Sequence, residues 1–179
     1  MLANGFEISE AMLPLDILRR AGIQAITVSI TDDEVVTASN GVPVIADTIL
    51  QAADLSDGDM LFLPGGMPGS TNLSQCELLA DYIKEYHAAG KYLAAVCAAP
   101  FVYGLMGLLQ GKKATCYPGF EEKLLGADLQ KKSVVLDGKM ITGAGAGVGY
   151  ELGHTMVTVL VGKETADQVL AKMMYQVYE

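Results

Sequence analysis

Leu93-Ala94-Ala95-Val96-Cys97-Ala98-Ala99-Pro100 is the stretch that decides the fold. Residues 92–96 are short and apolar throughout, as a strand is when helices cover both faces of its sheet. A helical pattern follows at once over 98–109, so strand meets helix at Cys97. The small residues on either side permit the tight corner on which exposed nucleophiles are mounted. A thiol there faces the positive end of a helix dipole and its unpaired N–H groups, which stabilise thiolate and lower its pKa. Free cysteine is also among the most buried residue types, so these eight residues alone leave Cys97 open between nucleophile and core thiol.

Working outward, the spacing predicts a second buried strand over 60–63 that runs into Leu63-Pro64-Gly65-Gly66-Met67-Pro68-Gly69. In an open parallel sheet the carboxyl ends of neighbouring strands deliver their loops to one crevice. The N–H groups of Gly66 and Ala98 are thereby expected to converge on an oxyanion forming beside the sulfur. An ordinary glycine-requiring turn is the alternative.

The rest of the chain alternates short apolar runs with longer helical periodicities, the pattern of a mostly parallel sheet with helices on both faces. Helices are expected over 9–21, from Asn72 or Ser74 to Gly90, and over 149–160 and 163–178. Further strands are expected over 25–30, within 39–46 and over 114–116. Asp137-Gly138 reads as the turn of a hairpin joining 133–136 to 139–142. The first strand of such a sheet normally lies at its centre, yet only residues 1–3 precede the turn at Asn4-Gly5. Either that strand is very short, or the chain begins after it, leaving a slot that something else must fill.

The chain has 179 residues, 51% hydrophobic and 18% charged, enough for one well-buried core. A net charge of -9 argues against nucleic acid and anionic lipid as partners. Three cysteines describe no secreted disulfide framework, and the N-terminus has no cationic segment followed by an apolar run, so a cytoplasmic protein without signal peptide is expected. Residues 92–111 are uncharged, but Pro100, Gly104 and Gly107 interrupt them, and no membrane span is expected.

Among acids, Glu10 lies in the first turns of the helix after the first strand position, where its carboxyl projects toward the same crevice. Buried beside a thiol, it should have a raised pKa and act as a proton donor. Glu7 and Asp16 are the competing candidates. His87 suits the last turn of a helix, and His154 falls partly buried on another; neither pairs with Cys97. With these two histidines and no Cys-x-x-Cys, no metal site is expected. The glycine-rich run over 143–149 has Val148 where a dinucleotide loop needs glycine, so it reads as close packing at a helix start. Cys76 and Cys116 read as structural, Cys116 lying near enough to Cys97 to matter in oxidation.

Asn4 to Asp16 with Arg19-Arg20-Ala21-Gly22, Leu63 to Gly66 with Asn72-Leu73-Ser74, Ala94 to Pro100, Ala114 to Pro118, and Thr142 to Glu151 together resemble the ThiJ/PfpI superfamily, in the branch of the parkinsonism-associated protein deglycase. The resemblance implies one ThiJ/PfpI-type (class I glutamine amidotransferase-like) domain over 1–179. The implied fold is a three-layer, flavodoxin-like α/β sandwich, usually a homodimer. It also implies Cys97 as nucleophile, Glu10 as its protonated partner, Gly66 and Ala98 at the oxyanion site, and no cofactor. Two departures matter. Peptidase relatives have histidine directly after the nucleophile, where this chain has Ala98. Many deglycase relatives have histidine before the proline equivalent to Pro118, where this chain has Tyr117, a phenol able to donate to substrate but a poor base.

The expected activity is that of a thiol enzyme of deglycase or glyoxalase type, acting on small 2-oxoaldehydes such as methylglyoxal or their adducts. The alternatives are a redox-sensing stress protein or chaperone working through oxidation of Cys97, and an intracellular cysteine peptidase or amidase.

Overall fold

The computed structural model describes residues 1–175. Its elements are α1 (Ile8–Arg20), β1 (Val28–Ser29), β2 (Val35–Thr37), β3 (Pro43–Ile45), β4 (Thr48–Ile49), β5 (Met60–Leu63), α2 (Gly69–Gln75), α3 (Glu77–Ala88), β6 (Tyr92–Val96), α4 (Pro100–Leu105), β7 (Lys113–Ala114), β8 (Asp128–Leu129), β9 (Val134–Asp137), β10 (Met140–Gly143), α5 (Gly149–Val161) and α6 (Lys163–Lys172).

The central sheet runs β5-β6-β10-β9, parallel except for β9. Strand alternation sends Leu61, Leu63, Leu93 and Ala95 into one apolar cluster with Leu73, Leu79 and Ile83 of α2 and α3. Met60, Phe62, Ala94 and Val96 go to the other face, against Ile17 of α1, Leu152 and Met156 of α5, and Val169 of α6. Burial on both faces is why these strands carry no polar alternation. The result is the flavodoxin-like α/β sandwich that the sequence implied. No described helix is long and apolar enough to cross a membrane.

Several boundaries differ from expectation, each for a local reason. The helix expected over 98–109 is only α4; Ala98 and Ala99 form the turn into it, and Gly107, at φ 72°, closes it off. The helix expected to end at Gly90 is broken at Cys76, whose extended backbone (ψ 103°) separates α2 from α3. Neither Asn72 nor Ser74 caps it: the Asn72 amide donates to the Asn4 carbonyl at 2.8 Å, and the Ser74 hydroxyl to Thr71. The strand over 114–116 is displaced to β7, paired with β8. The hairpin at Asp137-Gly138 forms with Gly138 at φ 61°. The last helix ends at Lys172, and residues 176–178 of its expected span lie outside the described residues.

The strand expected over 25–30 shrinks to β1, which pairs with β4 and, through a bridge at Ser29, with Leu2. Leu2 donates to Val28 at 2.7 Å and accepts from Ile30 at 2.9 Å, while the Met1 amine donates to the Phe62 carbonyl at 2.8 Å. Residues 1–3 therefore form the short central strand, joining the β1 and β5 edges at one end only. Along the remainder lies a cavity of about 470 Å³ between residues 22–28 and 57–62.

Candidate active site

Cys97 terminates β6 with φ 63°, in the left-handed region that a side chain with Cβ rarely occupies. Tertiary hydrogen bonds hold it there: its N–H donates to the Gly143 carbonyl at 2.9 Å, and its carbonyl accepts from Tyr117 N–H at 2.8 Å. A non-glycine residue kept in such a conformation costs about 1–3 kcal/mol, which the surrounding contacts must offset. The corner turns the sulfur out of the strand, leaving Cys97 half-buried, toward the loop after β5.

Glu10 meets it there. The carboxyl is 2% exposed, shares a hydrogen bond with the Cys97 thiol, and accepts from Gly65 N–H at 2.9 Å. The two acids that competed for this role are engaged elsewhere. Glu7 caps α1 by accepting from Glu10 N–H at 2.7 Å, and Asp16 pairs with Arg20 on the exposed face at 2.8 Å. Gly66 and Ala98 both direct backbone N–H groups at the sulfur, so four of the five anticipated residues converge.

The fifth, Tyr117, touches the corner through its backbone. Its side chain is 51% exposed, and its ring lies beside Gly145, where an added Cβ would come 3.4 Å from ring carbon Cδ2. Gly143 packs on Val96 and Gly149 on Leu13, so the two ends of the glycine run serve close packing, whereas a Cβ at Gly147 would meet nothing within 4 Å. His154 bonds to Asp167 of α6 at 2.7 Å, and His87 occupies the last turn of α3.

One electrostatic expectation is overturned. Burial raises Glu10 to about 7, against the pull of its hydrogen bonds to Cys97 and Gly65, as anticipated in direction. The Cys97 thiol, however, is pushed up to about 12 rather than down, first by burial and then by the Glu10 charge. The N–H groups of Ala98 and Gly66 oppose the rise without cancelling it. Helix α4 is short and begins at Pro100, so the sulfur is served by two N–H groups rather than by a long helix dipole. The resting pair is thus a thiol beside an acid that titrates near neutrality.

Gly65 is a site residue that sequence reasoning missed. A Cβ there would fall 2.5 Å from Glu10 Oε2 and 2.6 Å from Cys97 Cβ. The Gly65-Gly66 pair marked the turn, but nothing local distinguishes the glycine that needs positive φ (Gly66, φ 90°) from the one that admits the carboxyl.

Fold and site together define a class: a flavodoxin-like α/β protein with a cysteine on a strained strand-to-helix corner, bonded to a buried glutamate. A family model described as the DJ-1/PfpI family matches residues 1–159, and the chain belongs to that family. It is 41% identical to Protein DJ-1 homolog B of Arabidopsis thaliana over 94% of this chain and 39% of that protein. The chain spans 44% of the length of Arabidopsis homolog A, so it covers less than half of either plant relative. With the Parkinson disease protein 7 homolog of Danio rerio identity is 34%, over 97% of this chain and 94% of that one. The structure of oxidized Toxoplasma gondii DJ-1 superposes with a TM-score of 0.94 at 35% identity, covering 98% and 96% of the two chains. An isonitrile hydratase of Pseudomonas putida is 35% identical over 78% of this chain and 61% of its own length, so relatives include an enzyme.

Proposed function

We propose that this chain is a cysteine-dependent enzyme of deglycase or glyoxalase type, converting small 2-oxoaldehydes such as methylglyoxal, or their adducts, to hydroxy acids. The observation that carries the reading is the hydrogen-bonded pair of Cys97 and a buried Glu10 that titrates near 7. A base in that range takes the thiol proton at neutral pH and returns it later as an acid. Sulfur then adds to the aldehyde carbon, and the developing oxyanion is met by the N–H groups of Gly66 and Ala98. Glu10 moves the C1 proton of the hemithioacetal to C2, leaving a thioester, which water cleaves to lactate and free thiol. The net change is methylglyoxal plus water to lactate. Tyr117 walls the substrate side of the corner. The same reading takes residues 1–179 as one domain acting in the cytoplasm as a homodimer.

Cys97→Ser should abolish lactate formation from methylglyoxal; unchanged turnover would overturn the mechanism. A second reading, redox sensing through sulfinate at Cys97, draws support from Glu10, whose retained proton would bond to that product. Mass spectrometry after peroxide, with Cys76 and Cys116 as internal controls, separates the two: selective oxidation of Cys97 without aldehyde turnover favours sensing. The peptidase reading lacks a histidine beside the sulfur, Ala98 occupying that position.

A further inference from the structure

At the end of the sheet opposite Cys97, a small cavity of about 90 Å³ is ringed by basic residues. Hydrocarbon lines part of it, from Leu93 of β6, Met140 of β10 and Leu108 of the turn after α4. Around these stand His87 in the last turn of α3, Lys91 just before β6, Lys112 just before β7 and Lys139 just before β10. The parallel register that sets Met140 opposite Leu93 brings the residues ahead of both strands to one place. In a chain of net charge -9 with 12 Lys and Arg in all, three lysines at one small cavity concentrate positive charge against the field of the whole molecule. None of the four is closely paired with a carboxylate. Lys112 Nζ lies 4.0 Å from Asp137 Oδ1, and the other oxygen of Asp137 accepts from Lys113 N–H at 2.8 Å. Lys91 donates to the Ser56 carbonyl at 2.6 Å, and Lys139 Nζ lies 3.8 Å from the centre of the Tyr92 ring. Among the described residues, neither the Lys139 ammonium nor the His87 ring has a hydrogen-bond partner. The carbonyls of Glu85, Tyr86 and His87 at the end of α3 are taken by the N–H groups of Ala89, Lys91 and Gly90, which blunts the negative end of that helix.

We propose that this cavity binds one tetrahedral dianion, either inorganic phosphate or the phosphoryl group of a small phosphate monoester. Pockets that enclose a whole organic ligand are several-fold larger, so only the charged group is enclosed here. Lysine ammonium groups suit phosphate as point charges, whereas a planar carboxylate is matched best by the fork of arginine, and no arginine lines the cavity. The apolar lining excludes water and strengthens the attraction. Lys112 and the His87 ring bring donors that no other hydrogen bond holds, and Lys139 has only a ring contact to give up. Lys91, held at Ser56, adds its charge. Asp137 is the one carboxylate in reach of Lys112, and it competes with the anion. Cys97 does not line this cavity, and the inference is independent of the enzymatic reading.

Imidazole NMR of the full chain tests it, because the sequence has two histidines: His87 at the cavity and His154, bonded to Asp167 between α5 and α6, as internal reference. Inorganic phosphate, titrated at fixed pH and ionic strength, should shift the His87 resonances saturably with a Kd of about 1 mM and leave those of His154 in place. Glycerol 2-phosphate separates the two sources: tighter binding than inorganic phosphate assigns the site to a monoester, and weaker binding assigns it to the free ion. The Lys112→Gln/Lys139→Gln double variant should weaken phosphate about tenfold, each partly exposed charge contributing up to about fivefold. Asp137→Asn removes the competing carboxylate while leaving an Asn-Gly hairpin turn, and should tighten binding about twofold. The proposal is overturned if His87 shows no saturable shift up to about 50 mM phosphate, or if both histidines move together. Unchanged affinity in the double lysine variant, or equal binding of the monoanion acetate, overturns it too.

Discussion

Gly65 donates its N–H to the Glu10 carboxylate at 2.9 Å from a position with no room for a side chain. The loop after β5 thereby orients the acid against Cys97 while keeping clear of it. Gly65→Ala should push the carboxyl off the sulfur, and displacements of this size cost on the order of 10²-fold in turnover. Steady-state kinetics should show the loss in kcat with little change in KM, and circular dichroism should show the fold retained.

The pH profile should report the same acid. The proposed step needs Glu10 as the base, so kcat/KM for methylglyoxal should rise through pH about 7, where the buried carboxyl titrates. Glu10→Gln should flatten that limb and lower the plateau by about 10²-fold or more. A profile that rises only near the thiol's own range, about 12, would remove Glu10 from the step.

Stability should carry the opposite sign. The folded-state pKa of Glu10 is raised from 4.5 to about 7, so between those values the folded chain binds a proton that the unfolded chain has released. Its stabilising contribution is full at low pH and is lost as pH rises through about 7, a change of about 3 kcal/mol at most. The buried Met1 amine, lowered from 8.0 to about 5, works against this trend. The informative quantity is therefore wild type minus Glu10→Gln. In urea titrations at pH 5 and pH 8, the variant should gain relative to wild type at the higher pH.

Backbone strain at Cys97 is measurable by comparing two truncations. At φ 63° glycine is unstrained and alanine is not. Cys97→Gly should therefore be more stable than Cys97→Ala by about 1 kcal/mol, although glycine normally costs that much in entropy. Denaturant midpoints read the difference, and a glycine variant less stable than the alanine variant by about 1 kcal/mol would show that the corner is not strained.

Tyr117 should act as a wall. Its ring lies over Gly145, and its backbone N–H, which substitution leaves in place, holds the Cys97 carbonyl. Tyr117→Phe should retain kcat/KM within about threefold, and Tyr117→Ala should raise KM by roughly tenfold. An equal loss of kcat in both would assign proton transfer to the phenol.

Much of this was legible in the chain itself. Residues 60–63 and 92–96 are apolar at successive positions, which only a strand covered on both faces requires, and the corner at Cys97 follows because strand and helix patterns abut there. The hairpin at Asp137-Gly138 was equally local. Helix ends were less legible: α2 begins at Gly69, ahead of Asn72 and Ser74, and the break falls at Cys76, whose extended backbone no local pattern marks.

What the residues alone determined is the layered sandwich and the cysteine at its strand-to-helix turn, because periodicity and turn chemistry act over a few neighbours. Only the tertiary structure decided that Glu10 rather than Glu7 or Asp16 reaches the sulfur. Only it revealed Gly65 as the residue that makes space, and the gap left beside residues 1–3. The direction of the Cys97 pKa was decided there too. Desolvation depends on how much protein closes over an atom and which charges lie beside it, and Glu10 is brought to Cys97 by packing across the fold rather than by any local pattern.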